Sequence, residues 1–425
     1  MRVAVVGLGH IGLPLAVQYA SRGHSVLGVD VAPGIVDAVN RGESPHADEQ
    51  TLIERVPHLV ADGRLRATTW EEASGVREAE VIVVIVPVVV DAQREIDFQP
   101  IDAATRDIAA NLGRDALVIY ETTLPVGTTR DRFGPLLVTG SGMELDRDFF
   151  LAFSPERVLV GRVFADLRRY PKIVGGTSDE STRRAVEFYR SALDEGTEVM
   201  RVANAETAEM TKLAETTYRD VNIAYANELA RYAARHGIDV MEVIGAANSQ
   251  PYSHIHQPGV GVGGHCIPVY PHFLFNNDPD LRLPPLAREI NEGMAAFTVD
   301  TIEDRIGSLD GQSVLVLGIA YRGDVKEDAF SSAFRLRDEL LAAGARVFAH
   351  DPYFDAEHLR GLGFEPYELG TDEPIRVAVL QAAHAAYLEL DPASLSGLEL
   401  FVDGRNAVEK APYERAGVGY VGIGR

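Results

Sequence analysis

The 425-residue chain has a single cysteine, Cys266. That excludes an intrachain disulfide framework and a multi-cysteine metal site, and leaves the thiol as either an inert packed group or a reactive one. Positive charge is also scarce: 40 Lys and Arg face 63 Asp and Glu, a formal net charge of −23. Broad attraction to nucleic-acid phosphates or anionic membranes is excluded, so any phosphate site must be a local cationic pocket. No stretch approaches the roughly 20 apolar residues that span a bilayer. The chain opens directly into a strand pattern rather than a signal peptide, and a cytoplasmic location is expected.

What is present is the alternation of an α/β protein. Residues 2–12, Arg-Val-Ala-Val-Val-Gly-Leu-Gly-His-Ile-Gly, read as a buried strand, a glycine turn and a helix start, and Gly23 to Asp30 read as a second strand. Apolar runs at Val81 to Val86, Leu117 to Ile119 and Phe149 to Phe153, separated by helix-length segments, extend this unit into a parallel sheet. From Ala203 to about Arg235 there is neither glycine nor proline, and apolar residues recur at helical spacing, which predicts a long helix. Gln257 to Pro268 is too rich in glycine and proline for a helix interior and must be a loop. The opening pattern then recurs at Gln312 to Gly323 and Ala343 to Asp351, again ending in aspartate. The expected architecture is two doubly wound, Rossmann-like domains, 1–200 and 306–425, joined by a helical central region, 201–305, that carries the cysteine loop. Long bridging helices serve as dimer interfaces or as internal spacers, so a homodimer through this region is one of two readings.

Gly7, Gly9 and Gly12 form Gly-x-Gly-x-x-Gly directly after a strand and at a helix start, with Asp30 18 residues beyond Gly12 at the end of the next strand. Such glycines permit a tight turn, close approach of a pyrophosphate and tight helix–strand packing, and the aspartate accepts from ribose hydroxyls. Asp30 would repel a 2′-phosphate and has no neighbouring cation, which favours NAD over NADP. The second turn, Gly318 to Gly323, lacks this fingerprint. Its Arg322 and Lys326 lie just after a strand, where doubly wound sheets bind ligands; they are either diphosphate contacts or solvated surface charge. Around Cys266, Gly263-Gly264-His265 and Ile267-Pro268 bring exposed backbone close to a ligand, and His265 could favour the thiolate if it touched it. A thiolate beside nicotinamide can hold an aldehyde as a thiohemiacetal.

Five ordered motifs across essentially the whole chain resemble the UDP-glucose/GDP-mannose dehydrogenase family. They are Gly7 to Ala16, Glu121 to Thr129, Ser154 to Leu159, Lys212 to Leu229, and Gly263 to Pro268. The tract Ser-Pro-Glu-Arg-Val-Leu-x-Gly-Arg at 154–162, continued by Lys172 to Gly176, is most similar to the branch acting on UDP-N-acetylhexosamines, of the UDP-N-acetylmannosamine type. The resemblance implies oxidation of a sugar C6 alcohol to a carboxylate with two NAD, through a Cys266 thiohemiacetal and thioester. It implies Lys212 as base or oxygen stabiliser, Glu156 as general base for the hydrolytic water, and Thr123 positioning that water. His10, Ile11, Pro87 and Thr123 would join the glycines and Asp30 around NAD. Glu156, Arg157, Val158, Lys212, Gly263, Arg322 and Lys326 would contact a nucleotide sugar, UDP-linked by preference, with no metal involved.

Three positions depart from the family pattern. Tyr270 stands where an aspartate follows the cysteine by four residues, Thr216 where an asparagine follows the lysine by four, and Ala329 where relatives carry an anion-contacting arginine. The first two remove a carboxylate and an amide from the region of the reacting carbon. Two other readings therefore stay open: a single-step NAD-dependent alcohol or hydroxyacid dehydrogenase without a covalent intermediate, and a catalytically silent NAD-binding regulator.

Overall fold

In the computed structural model, residues 1–46, 49–91 and 95–425 are described. They divide into two compact units, Met1–Glu215 and Thr216–Arg425.

Short β-branched runs become the strands of the first unit: β1 (Arg2–Val6), β2 (Ser25–Val29), β3 (Leu65–Thr68), β4 (Val81–Val84), a small hairpin of β5 (Val89–Val90) and β6 (Ile96–Asp97), then β7 (Leu117–Tyr120), β8 (Phe150–Phe153), β9 (Lys172–Gly176) and β10 (Val199–Arg201). Among the described residues, eight of them form one sheet in the order β10-β9-β8-β7-β4-β1-β2-β3. The strand order reverses direction at β1, which lies between β2 and β4, and ligands of doubly wound sheets bind beyond the carboxyl ends of the strands at such a point. β1, β4, β7 and β8 are apolar and almost wholly buried, as expected where helices cover both faces. The helix Gly12–Ser21 is buried along nearly its whole length. The runs expected to form a parallel sheet do so, β1 with β2 and β4, β4 with β7, and β7 with β8; beyond them β9, which no run had marked, pairs antiparallel with β8, Ala152 opposite Gly176 and Phe153 opposite Gly175.

The second unit holds β11 (Ser313–Leu317), β12 (Arg346–His350), β13 (Glu365–Pro366), β14 (Val377–Leu380), β15 (Leu400–Asp403) and β16 (Gly419–Gly422), all parallel in the order β13-β12-β11-β14-β15-β16. The long helix is Ala205–His236, close to the predicted span. Residues 257–268 lie outside helices and strands, as their glycines and prolines require.

Candidate active site

In the first unit the glycine turn separates fold from function. Gly7 has φ +94°, and a Cβ there would stand 2.6 Å from the Ile85 carbonyl oxygen. A Cβ on Gly12 would fall 1.9 Å from the Gly7 carbonyl oxygen. Both positions are therefore demanded by the protein's own packing. Gly9 is different: a Cβ there would meet no atom within 4 Å, and the residue is exposed. The open space beside Gly9 is what an incoming pyrophosphate needs. Asp30 closes the turn, its Oδ2 accepting from the Leu8 N–H at 2.7 Å and its Oδ1 from the Ala32 N–H at 2.9 Å. Each oxygen keeps a lone pair for a ribose hydroxyl, so the residues present fit NAD. His10 and Pro87 are exposed and Ile11 is half-buried along the same rim. His46, which no motif marked, contacts the Leu8 carbonyl oxygen through Nε2 at 2.9 Å and packs against His10, the rings tilted by 36° with centroids 4.3 Å apart.

Glu156 follows β8, and its carboxylate is held on both sides. Oε1 accepts from the N–H groups of Arg157 at 2.6 Å and Val158 at 3.2 Å, and Oε2 accepts from Lys172 Nζ at 2.7 Å. Burial alone would push its pKa up; the Lys172 ammonium and the backbone donors overcome that and hold it below the usual carboxylate range. Lys172 also donates to Glu121 Oε2 at 2.6 Å, and Glu121 Oε1 accepts from the phenols of Tyr19 at 3.1 Å and Tyr189 at 2.5 Å. Glu121 is pushed the opposite way, upward, first by burial and further by Glu156, against the pull of Lys172. Arg157, expected to contact substrate, pairs with Glu215 at 3.2 Å and donates to the Pro171 carbonyl oxygen. Thr123 is buried in the segment after β7. Lys212 lies on the long helix and is only 7 % exposed. One turn earlier, Glu209 accepts from the N–H groups of Gly127 at 2.6 Å and Thr129 at 2.8 Å, yet burial pushes its carboxyl up to about 7.

In the second unit the cysteine loop is clamped onto the carboxyl edge of its sheet. Added Cβ atoms would collide 2.7 Å from the Ser332 Cβ at Gly261, 2.9 Å from the Phe330 carbonyl oxygen and Tyr321 Cβ at Gly263, and 2.9 Å from the Tyr321 ring at Gly264. Arg405 straps the loop, donating to the carbonyl oxygens of Gly261 at 2.9 Å and Gln381 at 2.5 Å and to Ser332 Oγ at 3.1 Å. Burial lowers its pKa to about 10, against the opposing pull of Asp403. The loop's start is tied to the long helix, where Asn227 Oδ1 accepts from the Gly259 N–H at 2.9 Å. Cys266 itself is half-exposed, and its carbonyl oxygen accepts from the Tyr270 N–H at 2.9 Å as the helix Tyr270–Phe275 begins.

The loop after β11 packs against these glycines and presents Arg322 and Lys326, both exposed, with Arg322 Nε donating to the Tyr321 hydroxyl at 3.0 Å. The structure thus brings Gly263 and Cys266 into one loop assembly with the segment bearing Arg322. The His265 imidazole is turned to Glu327, 3.5 Å away, and edges Phe330. Ala329 is half-buried, its N–H donating to Glu327 Oε1 at 3.0 Å, and Thr216 is buried.

Sequence reasoning gave no role to Glu121, Lys172, Tyr19, Tyr189 or Arg405. Arg405 stands far along the chain from the loop it holds, and no local pattern could mark it.

Comparison with known proteins matches the chain to three models of the UDP-glucose/GDP-mannose dehydrogenase family: the NAD binding domain at residues 1–193, the central domain at 206–293 and the UDP binding domain at 315–410. A UDP-N-acetyl-D-mannosamine dehydrogenase of Pyrococcus horikoshii is 34% identical, covering 100% of this chain and 99% of the relative. Among solved structures, a UDP-D-ManNAc dehydrogenase from Pyrococcus horikoshii superposes with a TM-score of 0.88 at 33% identity, covering 100% of this chain and 99% of that one. An NDP-N-acetyl-D-galactosaminuronic acid dehydrogenase from Methanosarcina mazei Go1 has the same TM-score of 0.88 at 31% identity, with 100% and 95% coverage.

Proposed function

Because the chain belongs to the UDP-glucose/GDP-mannose dehydrogenase family, we propose that it oxidises the C6 alcohol of a UDP-N-acetylhexosamine to the uronic acid through a covalent Cys266 adduct. It is an NAD-dependent oxidoreductase of nucleotide sugars, with the cofactor held at the turn of Gly7, Gly9 and Gly12. NAD, when bound, accepts hydride. The chain's own residues do the rest.

Lys212, shielded from solvent, takes the C6 hydroxyl proton or steadies the oxygen charge that develops. Cys266 Sγ adds to the aldehyde carbon, and a second oxidation leaves a thioester. Glu156 removes a proton from the hydrolytic water, oriented by the Thr123 hydroxyl, and the thiolate leaves. Arg322 and Lys326 meet the diphosphate. The observation that carries this reading is the cysteine loop: three glycines without room for a Cβ hold a half-exposed thiol at the sheet edge, next to the segment that bears Arg322.

A panel of UDP- and GDP-sugars with NAD, read by NADH yield and product mass, tests it. Two NADH per sugar and a carboxylate product are expected; one NADH and a released aldehyde would favour the single-step reading, to which Tyr270 and Thr216 lend weight. Cys266→Ser should abolish carboxylate formation while NAD affinity stays within about twofold, since a thiol acting at the sugar C6 has no part in holding the adenine half. Full turnover by that variant would remove the covalent mechanism.

Self-association belongs to the same proposal. Tyr218, Tyr225 and Tyr232 recur every seven residues on the long helix, each more than half exposed, at 55%, 51% and 53%. Such an aromatic stripe suits a two-fold pairing with a second copy. Among the described residues no helix is long and apolar enough to cross a membrane, and we place the reaction in the cytoplasm, where both NAD and nucleotide sugars are at hand.

A further inference from the structure

Glu156 faces a lysine that no role in the reaction requires. Lys172 is the first residue of β9, and because β9 runs antiparallel to β8, its beginning lies at the carboxyl edge, where a parallel strand would place its end. Extending the Phe153–Gly175 pairing by three residues sets Glu156 opposite Lys172. One ammonium, 4 % exposed, bridges two carboxylates there, at 2.6 Å from Glu121 and 2.7 Å from Glu156. Its Nζ also lies 4.9 Å above the Tyr189 ring.

The ionisable neighbours include Tyr19 and Tyr189, whose phenols both donate to Glu121, Arg157, whose guanidinium is turned to Glu215, and Asp166 and Tyr170, which line the same small cavity, Asp166 accepting from the Leu159 N–H and from Arg162. The group therefore carries two acids and one cation in a place that disfavours surplus charge. Lysine is itself unusual here. Only four of the 40 Lys and Arg residues are lysine. Where a permanent planar charge would serve, this chain uses arginine; between two carboxylates it places a compact ammonium that can share and exchange its protons.

We propose that Lys172 is a positioning residue for Glu156, with Glu121 as its proton-holding counterpart. The ammonium keeps the Glu156 carboxylate charged and aimed for the hydrolytic step, while Glu121, a carboxylate steadied by two phenols and the same ammonium, is the group that takes up the proton the buried trio gains. When Glu156 gains a proton from water, it passes to Lys172 Nζ as Lys172 gives one of its own to Glu121 Oε2. Lysine and Glu156 end with their starting charges, and Glu121 ends neutral. The proposal rests on Glu156 being the general base. The direction of the two carboxyl shifts agrees with it, Glu156 down and Glu121 up.

The test is carboxyl ¹³C NMR on the full-length enzyme labelled at glutamate, with the Glu156 signal identified by its loss in Glu156→Gln. In Lys172→Met that signal should titrate about one pH unit or more higher than in the wild type, with the acid limb of carboxylate formation moving alongside it. In Glu121→Gln, which keeps the shape and removes the competing charge, both should move down. Opposite shifts from two neighbours are not what loss of structure produces, and NAD binding measured in each variant confirms that it is folded. An unchanged Glu156 titration in Lys172→Met, or an upward move in Glu121→Gln, overturns the proposal. If the signals move as expected while the acid limb stays in place, the charge-setting role stands and the assignment of Glu156 as base is what fails.

Discussion

Single residues separate what the fold needs from what the ligand needs. At Gly12 a methyl group would lie 1.9 Å from the Gly7 carbonyl oxygen, against backbone that cannot yield. Gly12→Ala should therefore cost about 4 kcal/mol or more, enough to prevent soluble expression or to lower the melting temperature sharply. At Gly9 the methyl group would meet nothing. Gly9→Ala should unfold within about 2 °C of the wild type yet bind NAD about tenfold or more weakly, because the methyl group enters the space of the pyrophosphate. Thermal unfolding and a fluorescence titration on the same sample check both halves. Equal damage to fold and binding in the two variants would mean that Gly9 is a structural glycine too. None of the three residues that depart from the family pattern, Thr216, Tyr270 and Ala329, has a positive φ.

At the scale of elements, the antiparallel entry of β9 is the decisive feature of the first sheet. Had β9 run parallel to β8, Lys172 would sit at the amino edge and Glu156 would lack its cation. The long helix acts locally in a comparable way. Its Glu209 is buried against the turn at residues 127–129 and holds its proton up to about 7. An unfolded glutamate titrates near 4.3. Between those values the folded chain binds a proton that the unfolded chain has released. Stability from this group is thus complete below about pH 4, declines as pH rises, and is gone above about pH 7. Urea unfolding across that range should show the decline, and Glu209→Gln should flatten this part of the slope while lowering stability by about 1–3 kcal/mol, since an amide NH₂ must face one of the two backbone donors. An identical slope in the variant would assign the decline to other carboxyls.

On the scale of the whole molecule, each unit builds the same corner from the same parts. In the first, Gly7 at φ +94° receives an aspartate from the next strand, Asp30, on the N–H of Leu8. In the second, Gly318 at φ +84° receives Asp351 on the N–H groups of Ile319 at 2.8 Å and Ala320 at 3.2 Å. The difference is occupancy: Asp351 is buried and accepts from His384 Nε2 at 3.1 Å, so its carboxylate is already spent inside the protein. The second corner thus lacks a carboxylate free for ribose, as its broken glycine fingerprint indicated. The tyrosine stripe supplies the prediction at this scale. Tyr225→Arg should shift sedimentation from a dimer to a 46.2 kDa monomer with little loss of melting temperature. A wild type that sediments as a monomer at micromolar concentration would sink the idea.

The amino-acid sequence by itself determined the alternation of strands and helices, the glycine turn, the long helix, the loop around Cys266 and the resemblance that pointed to nucleotide sugars. Each of these rests on short-range physics: β-branched runs, glycine at positive φ, an uninterrupted helical period, proline where no helix can continue. Only the tertiary structure decided that β9 runs against β8, that Lys172 and Glu121 stand behind Glu156, that Arg405 straps the cysteine loop, and that the His265 imidazole faces Glu327. Those contacts join residues remote in sequence. Their existence depends on strand direction and burial, which no local pattern of residues encodes.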